Sequence, residues 1–171
     1  RIGVLRALFG TAPEDEEVGA IVRKALDAMK AQGAEVVEAT VPGLDDLLAE
    51  SSVIADEFKF DLAAYLATHP GAPVKTLGEI LDRGLNHDAL EQTFRLRNQP
   101  TVRESEHYRQ ALVKRRALRA AVDAVLEGQK LDVLVYPTLR RKPTLIGEAQ
   151  IGTTCQLSAT TGLPVVFRLA H

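Results

Sequence analysis

The sequence predicts an α/β fold, a sheet flanked by helices, and three observations carry that reading. Residues 1–41 read strand, helix, strand. Leu131, Val133, Leu134 and Val135 form a short apolar run ended by Pro137, the pattern of a strand buried on both faces in the middle of a sheet. Between these ends lie segments with legible helix caps and apolar stripes.

Taken in order, Ile2, Val4 and Leu5 mark a first strand. Ala12-Pro13 followed by Glu14, Asp15, Glu16 and Glu17 marks a helix start, since proline suits the first turn and acidic side chains suit its dipole. Val18, Ile21, Val22, Ala25 and Met29 recur at helical spacing, and Gly33 closes the helix. Ala34 to Val41 alternates and is rich in valine, a second strand, so a parallel pair with a right-handed crossover is expected. Gly3 and Gly10 do not make the glycine fingerprint of a dinucleotide site. Pro42-Gly43 turns the chain into Leu44 to Leu66, one core-facing helix or two joined ones, with Leu44, Leu47, Leu48, Ile54, Phe58, Leu62 and Tyr65 on one face and Ser51-Ser52 inside it. His69 to Pro73 is a turn. Thr76 with Glu79 caps a short helix ended by Gly84, and Asn86 caps the next, which stops before Pro100. Thr101 with Glu104 repeats the capping pattern and opens the longest helix, running to about Gly128, with Tyr108, Leu112, Leu118, Val122 and Val125 buried. After the strand at Leu131, Thr153 or Thr154 caps a short helix that Gly162 ends and Pro164 stops; Val165 to Phe167 reads as another strand.

Composition bounds the function. The 171 residues are 46% apolar, enough for a substantial core, and the net charge of −2 gives no field that would draw nucleic acid or an anionic membrane. The lone Cys155 excludes an internal disulfide, no cysteine and histidine cluster has zinc spacing, and a reducing, cytoplasmic setting is expected. No apolar run is long enough to span a bilayer and no signal-peptide pattern opens the chain. Met29 is the only methionine and Arg1 leads straight into a strand, so the chain reads as cut from something longer.

Several residue groups invite chemistry. Arg103, Arg109, Lys114, Arg115, Arg116 and Arg119 line the longest helix, but Glu104, Glu106, Asp123 and Glu127 share it and no aromatics interleave for base stacking, so a solvated face is expected. Arg115, near the apolar stripe, is expected to pair with a carboxylate. Ser105-Glu106-His107 holds the residue types of a triad, yet consecutive helical residues point in different directions. Arg140, Arg141 and Lys142 follow the central strand directly, where open sheets bind ligands. The loop Leu139 to Gln150 therefore reads either as a pocket lining or as a mobile surface loop. Thr153 to Gln156 would open a helix whose free amides favour an anion or a carbonyl oxygen. Cys155 there reads as a small buried residue, because no histidine nearby in sequence can activate it.

The strand ending Tyr136-Pro137-Thr138, a variable loop, and then Cys155-Gln156-Leu157-Ser158-Ala159-Thr160-Thr161-Gly162-Leu163-Pro164 resembles the late part of the amidase signature family of hydrolases. Arg1 to Gly10, Glu14 to Val37, Glu57 to Leu66, Thr76 to Leu81 and Tyr108 to Leu134 resemble successive pieces of the same half. The resemblance implies a mixed sheet flanked by helices, the C-terminal portion of an amidase signature fold, with residues 1–171 forming a single incomplete domain. It implies an amide hydrolase whose nucleophilic serine, cis-bonded serine and lysine lie in the earlier half. No Gly-Gly-Ser-Ser run exists here, and Ser51, Ser52, Ser105 and Ser158 lack the context, so no catalytic residue is carried over and the chain alone is expected to be inactive. Neither metal nor organic cofactor is implied.

What the resemblance assigns to this half is sheet and pocket wall. Tyr136, Thr138, Thr153, Thr154, Cys155 and Gln156 are the candidate substrate-binding residues. Family members that bind amino-acid-like amides place an acid where this sequence has Gly152, which leaves a neutral arylamide or aliphatic amide open as substrate. After Val166 the chain reads Phe167-Arg168-Leu169-Ala170-His171 where the family continues with another proline and a glycine turn. The expected partners are a small-molecule amide, the earlier half of the same protein, and, because uncovered strand edges pair readily, a second copy of the chain. The competing reading is a noncatalytic α/β domain that binds a small ligand or another protein.

Overall fold

Three short strands in parallel register organise the first part of the molecule. The computed structural model describes residues 1–167; the sequence reading at Arg168 to His171 lies outside the described residues. The elements are β1 (Ile2–Leu5), α1 (Glu16–Ala31), β2 (Val36–Ala39), α2 (Leu44–Leu48), α3 (Ile54–Ala67), α4 (Leu77–Asp82), α5 (Asp88–Asn98), α6 (Glu106–Gly128), β3 (Val133–Val135) and α7 (Gln156–Thr161). The chain divides into two units, residues 1–49 with 115 onward, and residues 50–114.

In the first unit the sheet order is β2-β1-β3, and β1 pairs parallel with both neighbours. Alternation along the strands sorts their side chains onto two faces. Ile2, Val4, Val36 and Val135 pack with Phe9, Val22 and Leu26, which puts α1 over one face. Leu5, Val37, Ala39 and Leu134 pack with Leu44 of α2, Leu118, Val122 and Val125 of α6, and Leu157 of α7 on the other. The layers are helix, sheet, helix. Each such leucine or valine, fully buried, contributes about 1.5–3 kcal/mol, so β1, with Val4 at 2% and Leu5 at 1% exposure, is the anchor of this unit.

The α/β architecture and the strand–helix–strand opening agree with the sequence. All three strands run parallel; among the described residues antiparallel pairing occurs only at the isolated bridge between Leu139 and Thr153. The central strand, however, is β1 and not the Leu131 to Val135 run. No described strand lies beyond β3, and Val133 is consequently 47% exposed. Val165 to Phe167, read as a strand, pairs with no strand among the described residues and is exposed. On α1 the apolar residues Ile21 and Met29 are exposed while Gly19 and Leu26 are buried, so the buried stripe is narrower than the spacing suggested.

The Leu44 to Leu66 segment is two helices, and Ser51-Ser52 lies between them, not inside one. In the second unit α3, α4 and α5 pack together, with the Phe58 and Phe94 rings 5.6 Å apart and Lys59 Nζ donating to the Asn98 carbonyl at 2.9 Å. Ile54 and Tyr65 are exposed. The Thr76 cap is present, its hydroxyl accepting from Glu79 N at 3.1 Å. The next cap is His87, not Asn86, through Nδ1 and Ala89 N. The longest helix begins at Glu106 because Ser105, not Thr101, caps it by accepting from Tyr108 N at 3.0 Å. No helix among the described residues is long and apolar enough to cross a membrane.

Gly3 marks the tightest point of the sheet. A Cβ there would lie 2.5 Å from Leu131 Cδ1, 2.9 Å from Leu134 Cδ2 and 3.0 Å from Ala39 Cβ. Gly3→Val is therefore predicted to lower stability by roughly 1–3 kcal/mol despite valine's preference for strands. A lower urea midpoint with unchanged slope would agree; an equal or higher midpoint would contradict the packing described.

Candidate functional site

The chain leaves β3 at Val135 and builds a clasp at the carboxyl end of the sheet, where parallel α/β structures bind ligands. Tyr136 is half-buried and touches the cores on both faces of the sheet. Burial holds its phenol above the usual tyrosine range, with a hydrogen bond to Ser158 acting in the opposite direction. Beyond it, residues 137–140 and 152–154 run side by side. Arg140 N donates to the Gly152 carbonyl at 2.8 Å, and Thr154 N to the Thr138 carbonyl at 3.0 Å. Thr154 is buried, and its hydroxyl donates to the Pro137 carbonyl and, at 3.0 Å, to that of Thr138.

That bond corrects the sequence reading of the helix opening. Neither Thr153 nor Thr154 caps α7. Cys155 occupies the N-cap position without a side-chain bond, and Gly162 ends the helix in the left-handed conformation that glycine adopts without strain. Cys155 is exposed, not buried as expected, because the clasp turns it outward while Leu157 takes the core position. Gln156 lies at the surface with its amide donating to the Leu48 carbonyl at 2.9 Å. Of the six candidate residues, Thr153, Cys155 and Gln156 are exposed, Tyr136 and Thr138 are half-buried, and Thr154 holds the clasp together. All six lie on the first unit, between Tyr136 and the first turn of α7.

The basic cluster after β3 is committed unevenly. Arg141 Nε donates to Asp15 Oδ1 at 2.7 Å and its guanidinium lies 3.9 Å from Glu14; Lys142 pairs with Glu17 at 2.8 Å. Asp15 is only 4% exposed and also accepts from Ala12 N. Gly10, at φ +81°, gives the turn after β1 a backbone that places this carboxylate where a Cβ would otherwise sit. Sequence reasoning took Asp15 only as one of four acids at a helix start, and nothing local distinguishes it. The loop itself is closed by Thr144, whose hydroxyl donates to the Glu148 carbonyl at 3.3 Å and whose amide donates to Gln150, leaving Leu145 and Ile146 in solvent. A shallow, mainly apolar groove of about 470 Å³, lined by Ile2, Ala25, Ala28, Met29, Gln32 and Ala34, lies at the opposite end of β1.

The serines are engaged elsewhere. In the second unit, Asp56 is buried and accepts from Ser105 Oγ at 2.6 Å and from His107 Nδ1 at 2.8 Å, while Tyr108 donates its hydroxyl to Glu57. The serine proton is aimed at the carboxylate, not at the imidazole that a nucleophile would need, so the three types do not form a relay. Ser158 donates to the Cys155 carbonyl. The basic face of α6 is likewise used internally: Arg109 bonds Glu106, Lys114 bonds Glu50, Arg119 bonds Asp123, and Arg115 donates to the Ala159 carbonyl and not to a carboxylate. No group of three or more acidic, histidine or cysteine side chains among the described residues is arranged to hold a metal.

The hydrogen bond from Arg141, ahead of the smaller help from Ala12 N and the neighbouring arginine charges, holds the Asp15 carboxyl below its ordinary 3.8, against the opposing effect of burial. A depressed folded-state pKa stabilises above the unfolded value, and the contribution is lost as pH falls through the folded value. The protection of amides in residues 139–150, measured against their intrinsic exchange rates, should therefore fall as pH drops below the ordinary 3.8, and Asp15→Asn should lower the same protection at neutral pH. Exchange in that loop unchanged by both treatments would show that the pair does not fasten it.

The model of the family described as Amidase matches residues 1–170. A search of curated proteins finds no match. Two crystal structures are similar: the peptide amidase PAM in complex with the competitive inhibitor chymostatin, at 20% identity and a TM-score of 0.62, and PAM12A, at 21% and 0.62. Each comparison covers 95% of this chain but 35% and 34% of the other, so the chain spans about a third of the length of the structures it matches. The fold is that of these amidases over the shared length, and with the family model matching from residue 1 to residue 170 the chain belongs to the amidase family.

Proposed function

We propose that residues 1–171 are part of a single incomplete domain of an amidase, supplying sheet and one wall of the substrate pocket. The parent protein hydrolyses carbon–nitrogen amide bonds. Cleaving an unactivated amide requires a nucleophile, a base that takes its proton, and donors for the oxyanion. Those groups come from the remainder of the protein, as a serine nucleophile with its cis-bonded serine and lysine. The observation that carries this reading is the family match over nearly the whole chain. The geometry is compatible with it: the clasp sits at the carboxyl end of parallel strands, and Tyr136, Thr138, Thr153 and Cys155 border it with partly exposed side chains.

The wall offers hydrogen-bonding hydroxyls and the half-buried Tyr136 phenol, with the apolar Leu145 and Ile146 on the adjoining loop. That combination suits the uncharged amide group to be cleaved and apolar groups directly beside it. Since the similar structures include a peptide amidase, a peptide carboxamide belongs first in a substrate panel, beside an arylamide and an aliphatic amide. The exposed free thiol of Cys155 suits a reducing, cytoplasmic setting.

Ammonia release from this panel is measured for the 171-residue chain and for the longer protein that contains it. Turnover by the longer protein, and none by the chain alone, is the expected result. Turnover by the chain alone, surviving replacement of Ser51, Ser52, Ser105 and Ser158, would place the chemistry elsewhere and overturn the reading.

A further inference from the structure

Arg140 stands apart from its neighbours. Its Nε is the single buried side-chain nitrogen or oxygen among the described residues that lacks a hydrogen-bond partner. Native structures rarely leave a buried donor unmet, and a charged one is the costliest to leave so. The adjacent cations are spent: Arg141 on Asp15 and Glu14, Lys142 on Glu17. The charge of Arg140 acts on Asp15, whose oxygens accept from Arg141 Nε and Ala12 N, but Arg140 Nε makes no hydrogen bond to it.

The position is built, not incidental. The Arg140 backbone is fixed by its amide bond to Gly152, and its side chain is enclosed by two glycines at positive φ. Arg140 Cδ lies 3.0 Å from where a Gly10 Cβ would be, and Arg140 Cβ lies 3.4 Å from that of Gly152. Gly10 follows β1 and Arg140 follows β3, so this half-buried side chain is held at the carboxyl ends of two parallel strands, beside Thr138 and Thr153. A planar guanidinium with uncommitted donors matches a carboxylate in a bidentate pair, which lysine cannot reproduce.

We infer that Arg140 is a specificity-determining residue that binds a carboxylate on the substrate, at a distance from the amide to be cleaved. The inference rests on the pocket-wall reading for its choice of ligand, and takes that reading further by naming an acidic amide as the substrate class. A carboxylate from elsewhere in the parent protein would share the same chemistry, so the test separates the two.

Binding of succinamate, which carries one carboxylate and one primary amide, and of succinamide, which carries two amides, is titrated by amide-resonance NMR. The titrations use the 171-residue chain, the longer protein, and the Arg140→Met and Arg140→Lys variants of each, with circular dichroism confirming the fold. The expected result is at least a tenfold preference for succinamate in both wild-type forms. It should be abolished in Arg140→Met and reduced severalfold in Arg140→Lys. Equal binding of the two probes by wild type, or a preference that survives Arg140→Met, would overturn the inference. Preference in the chain but not in the longer protein, with Arg140→Met lowering the longer protein's Tm, would assign the guanidinium to an internal carboxylate and also overturn it. Because binding is read without turnover, absence of amide hydrolysis would count against the proposed function and leave this result standing.

Discussion

The parallel pairing of β1 with both β2 and β3 is the constraint on which the first unit depends. The β1–β2 half is a local unit joined by α1. The β1–β3 half joins Ile2 to Val133, so it forms only after a loop containing everything between them has closed. Such distant pairings are entropically slow to make. They must be repaid by burial, and the burial is concentrated at Val4, Leu5 and the helix residues Leu118 and Val122. Gly3 belongs to the same constraint, because only a missing side chain lets Leu131 and Leu134 close over the strand.

The sheet gives the site its place, and the polar contacts give it its shape. Thr154 binds the carbonyls that end the β3 segment, Asp15 binds Arg141 across 126 residues of sequence, and together they hold the turn after β1 and the loop after β3. A loop on the surface would ordinarily carry its own solvated charges. Here Arg141 and Lys142 are drawn onto the start of α1, which leaves Arg140 as the cation whose donors remain uncommitted.

Much of this was legible in the sequence because it is local. The opening strand, helix and strand follow from period and propensity, and the Thr76 cap and the Gly162 stop follow from side-chain chemistry within one turn. What was not legible is long-range. The apolar run at Leu131 could not reveal that its strand has only one described neighbour. Thr154 looked like a helix cap because its partners Pro137 and Thr138 lie seventeen and sixteen residues away. Ser105 displaced Thr101 as a cap for a comparable reason, since its hydroxyl also satisfies the buried Asp56. The basic cluster at 140–142 was visible as a cluster, but which of its members is committed depends on Asp15, one of four consecutive acids at the helix start.

The central claim is that the segment from Tyr136 to Gln156 faces bound amide in the parent protein, and the exposed Cys155 thiol reports on it directly. The rate of its alkylation by a neutral maleimide, located by peptide mapping, would be measured in the longer protein with and without a saturating, slowly cleaved amide. Protection of Cys155 by severalfold, with the alkylation of an unrelated free thiol in the same sample unaffected, is the predicted result. An alkylation rate unchanged by saturating amide would contradict the account, because the clasp would then lie away from the substrate.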